Sequence, residues 1–118
     1  MKTKHNNLKE RTKTFALRII RLVEALPKGR TTDVIGKQLL RSGTSVGANY
    51  RAACRARSAA DFISKMGIVE EEADECIFWM ELLADAGAVK KEMVQALMKE
   101  ADELLAIAVS SIRTARKK

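Results

Sequence analysis

The chain has 118 residues, of which 22 are Lys or Arg and 15 are Asp or Glu, so its net charge is +7. This length predicts a single domain over residues 1–118, and one Pro and six Gly are too few for the turns of an all-β fold. No apolar run reaches the roughly 20 residues of a membrane span, and the charged N-terminus does not fit a signal peptide. We therefore expect a cytoplasmic, helical protein with no membrane partner.

The first helix is predicted over about residues 3–26, where apolar residues recur at helical spacing. Its core line is Leu8, Phe15, Ile19, Leu22 and Leu26. A different side of the same helix carries Arg11, Arg18 and Arg21, which predicts a line of cations. Pro27 ends the helix because it lacks an amide proton and disfavours helical geometry in the preceding residue.

The second helix is predicted over about residues 32–55, with Thr31 or Thr32 as its N-cap and Asp33 in its first turn. Its core line is Leu39, Gly43, Val46, Tyr50 and Ala53. Gly43 and Gly47 are unfavourable inside a helix, so we expect them where another backbone comes close.

Two further faces of the second helix are polar. Ser42, Ser45 and Asn49 form a seam that predicts hydrogen bonds to a neighbouring helix, unless the helix breaks between the two glycines. A third face carries the cations Lys37, Arg41, Arg51 and Arg55. It is interpreted either as an anion-binding surface or as a solvated face.

The third helix is predicted over about residues 59–86, with Ser58 and Asp61 resembling a capping box and Gly87 as the stop signal. Its core line is Phe62, Met66, Val69, Ala73, Cys76, Met80 and Leu83. Gly67 again suggests a close neighbour. Trp79 lies off this line and is interpreted as part of a subunit interface or as a cover over one end of the core.

The fourth helix is predicted over about residues 90–116, with two adjacent apolar lines. The inward line is Met93, Leu97, Ala101, Leu104, Ala108 and Ile112. Four long helices joined by short turns predict an all-α, antiparallel up-down-up-down four-helix bundle. Its apolar faces are wider than one bundle needs, so we expect a closed homo-oligomeric ring.

Charge is divided unevenly along the chain. Residues 1–57 hold 14 Lys and Arg against 3 Asp and Glu, a net charge of +11, whereas residues 58–118 hold 8 against 12, a net charge of −4. Glu71, Asp74 and Glu75 share one side of the third helix, with Glu72 nearer its apolar line. We expect these carboxylates to pair with Arg41, Arg51 or Arg55 of the second helix.

The sequence offers no recognisable catalytic centre. Its only histidine is His5, so neither a serine nucleophile with a histidine base nor a di-iron bundle site is predicted. Cys54 and Cys76 lie on apolar lines and are expected to be buried thiols. We therefore expect no enzyme activity, no cofactor and no metal.

The segment from Gln38 to Asn49, the pair Asp61-Phe62 and the helix from Ile68 to Leu83 together resemble the bacterial 23S rRNA intervening-sequence proteins, or S23-type proteins. The resemblance spans roughly residues 8–110. Many members read Asn-Ile-Ala-Glu-Gly after the serine seam, whereas this chain has Asn49-Tyr50-Arg51-Ala52-Ala53 and is more basic there.

This resemblance implies a four-helix bundle that assembles as a homopentamer. A related branch, the accessory protein of diversity-generating retroelements, implies binding of nucleic acid and of a reverse transcriptase through a basic surface. Two hypotheses follow for this chain. In the first, Arg11, Arg18, Arg21, Lys37, Arg41, Arg51 and Arg55 contact the phosphates of RNA or DNA. In the second, the chain is a protein scaffold whose arginines pair with acidic residues of a neighbouring subunit.

Overall fold

The computed structural model describes residues 4–117, and side chains from residue 7 onward. These residues form four helices and no strand: α1 (Lys4–Glu24), α2 (Arg30–Cys54), α3 (Ala59–Asp85) and α4 (Lys91–Arg116). Each helix packs against its neighbour in the chain, and α1 also touches α4 along a thin edge. The all-α, four-helix prediction is confirmed. The predicted start of the first helix at Thr3 lies outside the described residues.

The helix ends follow local sequence signals, with one exception. The Ser58 side chain accepts a hydrogen bond from the Asp61 amide at 3.0 Å, so the predicted N-cap of α3 is confirmed. Gly87 has a φ of 79°, the left-handed geometry that glycine adopts most easily after a helix. The predicted cap at Thr31 or Thr32 is wrong, because α2 begins at Arg30. Thr32 instead donates its hydroxyl to the Pro27 and Gly29 carbonyls, at 2.7 and 3.1 Å.

The core is a continuous apolar cluster to which all four helices contribute. The predicted core line of α2 is confirmed, since Leu39, Gly43, Val46, Tyr50 and Ala53 are all buried. In α4 the predicted inward line begins at the wrong residue. Met93 is 54% exposed and Val94 is fully buried, because the apolar line of α4 starts one position later.

The α1–α2 contact is close at the glycines of α2. A methyl group added to Gly43 would stand 2.7 Å from Cγ2 of Ile19, and one added to Gly47 would meet the Thr12 backbone at 3.4 Å. This confirms the predicted close approach, and α2 runs through both glycines without a break. Gly67 differs, because a methyl group there would meet no described atom within 4 Å. The close neighbour predicted for Gly67 is therefore absent from the described chain.

Candidate nucleic-acid interface

The candidate site consists of the cations of α1 and α2. Two of these cations, Arg11 and Arg41, form ion pairs that link two helices, and we call these ion pairs clamps. Arg11 on α1 donates two hydrogen bonds to Glu100 of α4, from Nε at 3.0 Å and from Nη2 at 2.7 Å, and a further one to Glu103 at 3.1 Å. Arg11 itself therefore lies on the side of α1 that faces α4.

Arg41 makes the second clamp, from α2 to α3. Its Nη1 atom donates to Glu72 and its Nη2 atom to Glu75, both at 2.7 Å. Glu72 is only 6% exposed, so this ion pair satisfies a nearly buried carboxylate. Hydrogen bonding and the charge of Glu72 are the main causes that raise the pKa of Arg41, which keeps its charge at any physiological pH. The predicted pairing between α2 and the acidic run is confirmed for Arg41 with Glu75.

The remaining predicted site residues divide into a paired and an unpaired group. Lys37 lies 3.4 Å from Asp33, one helical turn earlier, and both side chains are mostly exposed. The other four predicted site residues form no ion pair within the described chain: Arg18, Arg21, Arg51 and Arg55. We call these four the free arginines. The pairing predicted for Arg51 and Arg55 with acidic residues of α3 is therefore not found within the described chain.

The free arginines occupy two flanks, one on α1 and one on α2. Arg18 lies two turns after Arg11 on the same side of α1, and Arg21 is exposed about one turn later. Arg51 lies in the last turn of α2 and Arg55 is its C-cap residue, and both are exposed on the solvent flank that also carries Arg41. Between Arg41 and Arg51 that flank presents the short, exposed side chains of Thr44 and Ala48, which leave room for a rigid ligand to approach. Each flank can contact one or a few phosphate groups. The arginines could contact base edges only in the grooves of a duplex or in a single strand whose bases are unstacked.

The predicted polar seam bonds mostly within its own helix. Asn49 donates from Nδ2 to the Ser45 carbonyl at 2.9 Å and to the Ser45 hydroxyl at 2.8 Å. Ser42 donates to the Gln38 carbonyl at 2.9 Å, and its oxygen lies 3.4 Å from Glu75 on α3. Within the described chain Ser45 and Asn49 show no hydrogen bond to another helix, because Asn49 donates to the carbonyl and hydroxyl of Ser45, and their inter-helix role stays a prediction.

The two cysteines differ in solvent exposure. Cys76 is fully buried, and burial is the main cause that raises its pKa to about 12. Cys54, in contrast, is exposed at the last residue of α2, so its predicted burial is wrong.

The described residues contain no group of three or more side chains that could hold a metal ion. In the same range, none of the four helices is long and apolar enough to cross a bilayer.

These features define a basic four-helix protein whose four free arginines belong to its first two helices and their ends. Residues 4–110 match the family model described as 23S rRNA-intervening sequence protein, so the chain belongs to that family. A crystal structure from Bacteroides thetaiotaomicron, described as a protein of unknown function from the S23 ribosomal protein family, is 38% identical in sequence. The match covers 94% of this chain and 99% of that one, with a TM-score of 0.87. None of the curated proteins compared with this chain matches it.

Proposed function

We propose that this protein is a non-enzymatic, homo-oligomeric bundle of the cytoplasm that binds RNA or DNA through phosphate contacts of its free arginines. One observation carries the proposal. Arg11 and Arg41 are neutralised by carboxylates of the same chain, whereas Arg18, Arg21, Arg51 and Arg55 have none among the described residues. An arginine without an internal partner is available to a polyanion, and its planar fork suits a phosphate group.

The paired cations take a different role in this proposal. Arg11 and Arg41 tie α1 to α4 and α2 to α3, and so they orient the helices that carry the free arginines. Lys37 belongs to the exposed rim, where a surface ion pair contributes little energy. The binding surface proposed here is therefore narrower than the seven-residue set that the sequence predicts.

The contacts between helices support an antiparallel, up-down-up-down arrangement. Gly43 of α2 lies against Ile19 of α1, Gly47 lies against Thr12, and Gly36 lies against Leu26 just after the end of α1, so residue numbers rise in one helix as they fall in the other. Short connections between the helices agree with this arrangement.

The proposed assembly is the pentameric ring that the family resemblance implies. Five copies, each with a net charge of +7, would give a ring of about +35. Several weak phosphate contacts on one ring act together, because once one is made the others form at high effective concentration. The retroelement branch adds a reverse transcriptase as a candidate partner, for which the genomic neighbourhood is the first test.

The direct test compares two variants that lose the same charge. Arg51→Ala/Arg55→Ala removes the free arginines of α2, and Lys91→Ala/Lys99→Ala removes two exposed cations of α4. With a fluorescent generic RNA at about 50 mM salt, the arginine variant should bind at least about tenfold more weakly than the lysine variant. Equal affinities of the two variants would show that only net charge matters and would reject this surface.

A second candidate function, a protein scaffold, is favoured by the outer face of α3. Exposed carboxylates run along it on either side of Phe78, which is itself 50% exposed: Glu71, Asp74, Glu81 and Asp85. In a ring, this acidic face would meet the free arginines of the next subunit. The scaffold hypothesis predicts no RNA binding at about 50 mM salt and loss of assembly in Arg51→Ala/Arg55→Ala.

A further inference from the structure

A groove of about 450 Å³ lies between α3 and α4, on a part of the molecule that the proposed function does not use. Its apolar lining is Ile63 and Gly67 of α3 with Val109 and Ile112 of α4. The α3 part of the groove extends from residue 63 to residue 71, which corresponds to about 12 Å along a helix. This length matches about two turns of a helix laid against it.

Gly67 gives the groove its depth. Glycine costs helix stability relative to alanine, and at Gly43 that cost has a visible reason in the contact with Ile19. At Gly67 no described atom lies within 4 Å of the position that a methyl group would take. The missing side chain therefore leaves space in the groove that nothing in the described chain fills.

The two sides of the groove carry opposite charges. Glu70 and Glu71 line the α3 side, and Arg113 and Arg116 line the α4 side. None of these four side chains forms an ion pair within the described residues, whereas the Arg–Glu pairs that link helices elsewhere have N–O distances of 2.7 to 3.1 Å. An apolar channel between an acidic and a basic edge is complementary to an amphipathic helix with basic residues on one flank and acidic residues on the other.

A second copy of this chain does not supply such a helix from its described residues. Their exposed large apolar side chains are Leu17, Val34, Phe78 and Met93, which is one on each helix. A helix that docks in a groove needs apolar anchors at successive turns of one face, and none of the four helices carries two of these strongly exposed side chains. Nucleic acid fits poorly as well, because Glu70 and Glu71 would repel its phosphates.

We propose that the α3–α4 groove binds an amphipathic helix of a partner protein. Its apolar anchors enter the groove over Gly67, its basic flank faces Glu70 and Glu71, and its acidic flank faces Arg113 and Arg116. This surface is separate from the free arginines, so the protein would hold a protein partner and a nucleic acid at the same time. Failure of either proposal leaves the other standing.

The first experiment measures the affinity of three synthetic helices for the intact protein by fluorescence anisotropy. The peptides share one leucine stripe and differ only in their flanks, which are Lys on one side and Glu on the other, Lys on both, or Glu on both. The mixed-flank peptide should bind best. Gly67→Leu, which fills the groove, should weaken its binding at least about tenfold. The control Ala96→Leu adds the same side chain at an exposed position of α4 outside the groove and should leave the affinity close to that of the unmodified chain.

The second experiment tests the direction of the bound helix. Turning a docked helix end to end exchanges its two flanks while its apolar face stays in the groove. A nitroxide at the peptide N-terminus should therefore broaden NMR signals at one end of the groove, near Ile63 or near Glu71. In the variant Glu70→Lys/Glu71→Lys/Arg113→Glu/Arg116→Glu, the broadening should move to the opposite end.

Three results would overturn the proposal. The peptides could bind equally well and be indifferent to Gly67→Leu, which would mean that the groove is not the site. The direction of the peptide could stay unchanged in the charge-reversed variant, which would mean that the charged edges do not select the occupant. Gly67→Leu could break up an assembly of the protein alone, which would make a second copy the occupant.

Discussion

At the scale of single residues, Arg41 is the side chain that makes two ion pairs between α2 and α3. It joins α2 to α3 through two carboxylates, one of them the nearly buried Glu72, while half of its own surface remains exposed. A buried charge is costly when it loses its partner, more so than the intact pair is stabilising. Water reaches the Arg41 side of this pair, so the cost should lie below that of a fully buried pair.

We expect Arg41→Ala to lower the free energy of unfolding by about 1–3 kcal/mol, because the nearly buried carboxylate of Glu72 would lose its ion-pair partner. The double variant Arg41→Ala/Glu72→Gln should recover part of that loss. Lys37→Ala serves as the control, since its pair with Asp33 is exposed and should contribute less than about 0.5 kcal/mol. Urea denaturation measures all three, and equal losses for Lys37→Ala and Arg41→Ala would contradict this role.

Thiol reactivity provides a second test at the residue scale. Cys54 is exposed, whereas Cys76 is buried and its pKa is raised to about 12, so a thiol reagent should reach only Cys54 in the folded protein. Ellman's reagent should titrate a single thiol in the folded protein and both after denaturation. A Cys54→Ser variant that still reacts quickly when folded would show that Cys76 is accessible.

The raised pKa of Cys76 also sets a direction for the pH dependence of stability. The ordinary thiol pKa is 9.0, and the folded value is about 12, so the folded state holds its proton more tightly than the unfolded state. The contribution of the protonated Cys76 thiol to stability is therefore fully present below about pH 9 and is lost as the pH rises towards 12. Between pH 9 and pH 12, the unfolding free energy should change less steeply with pH for Cys76→Ala than for the unmodified protein. An unchanged slope would contradict this contribution of the Cys76 thiol.

At the scale of the elements, α1 and α2 are held close by glycine. Gly43→Ala should destabilise the protein, because the new methyl group would collide with the β-branched Ile19, which has little freedom to move. Gly67→Ala should stabilise it by about 0.5–1 kcal/mol, because alanine is the better helix former and meets no described atom there. Thermal unfolding of the two variants should therefore show shifts of opposite sign, and a loss of stability in both would contradict the α3–α4 geometry.

The helices themselves could be predicted from periodicity, and the exceptions have physical causes. The core line of α2 is unambiguous because apolar and small residues recur every third or fourth position. Met93 and Val94 are both apolar, and both fit the spacing to Leu97, so the sequence alone does not choose between them. Thr32 and Cys54 lie at helix ends, where one residue of difference changes a cap into a first-turn residue or a buried thiol into an exposed one.

The candidate site could be predicted only in part. Spacing along one helix places cations on a common face, but it does not reveal which of them a carboxylate on another helix neutralises. Arg11 and Glu100 are far apart in the sequence, and their contact depends on the packing of α1 against α4. The α3–α4 groove was also missed, although Gly67 in the middle of a helix was the available signal for it.

At the scale of the whole molecule, the proposal combines assembly with charge. Native mass spectrometry should show a pentamer whose subunits stay together at high salt, because apolar contacts rather than ion pairs would hold most of the interface. A monomer at all concentrations would remove the avidity argument. Dissociation by salt alone would favour the scaffold hypothesis, in which arginines bind acidic residues of the next subunit.

The most direct test of the central claim is the slope of log binding constant against log salt concentration for a generic single-stranded RNA. Each phosphate contact contributes roughly 0.7 to this slope, so removing the four free arginines of a subunit should flatten it by about 3 for every subunit that touches the RNA. A flat slope for the unmodified protein, or an equally steep one without Arg18, Arg21, Arg51 and Arg55, would contradict the claim that these arginines hold phosphates.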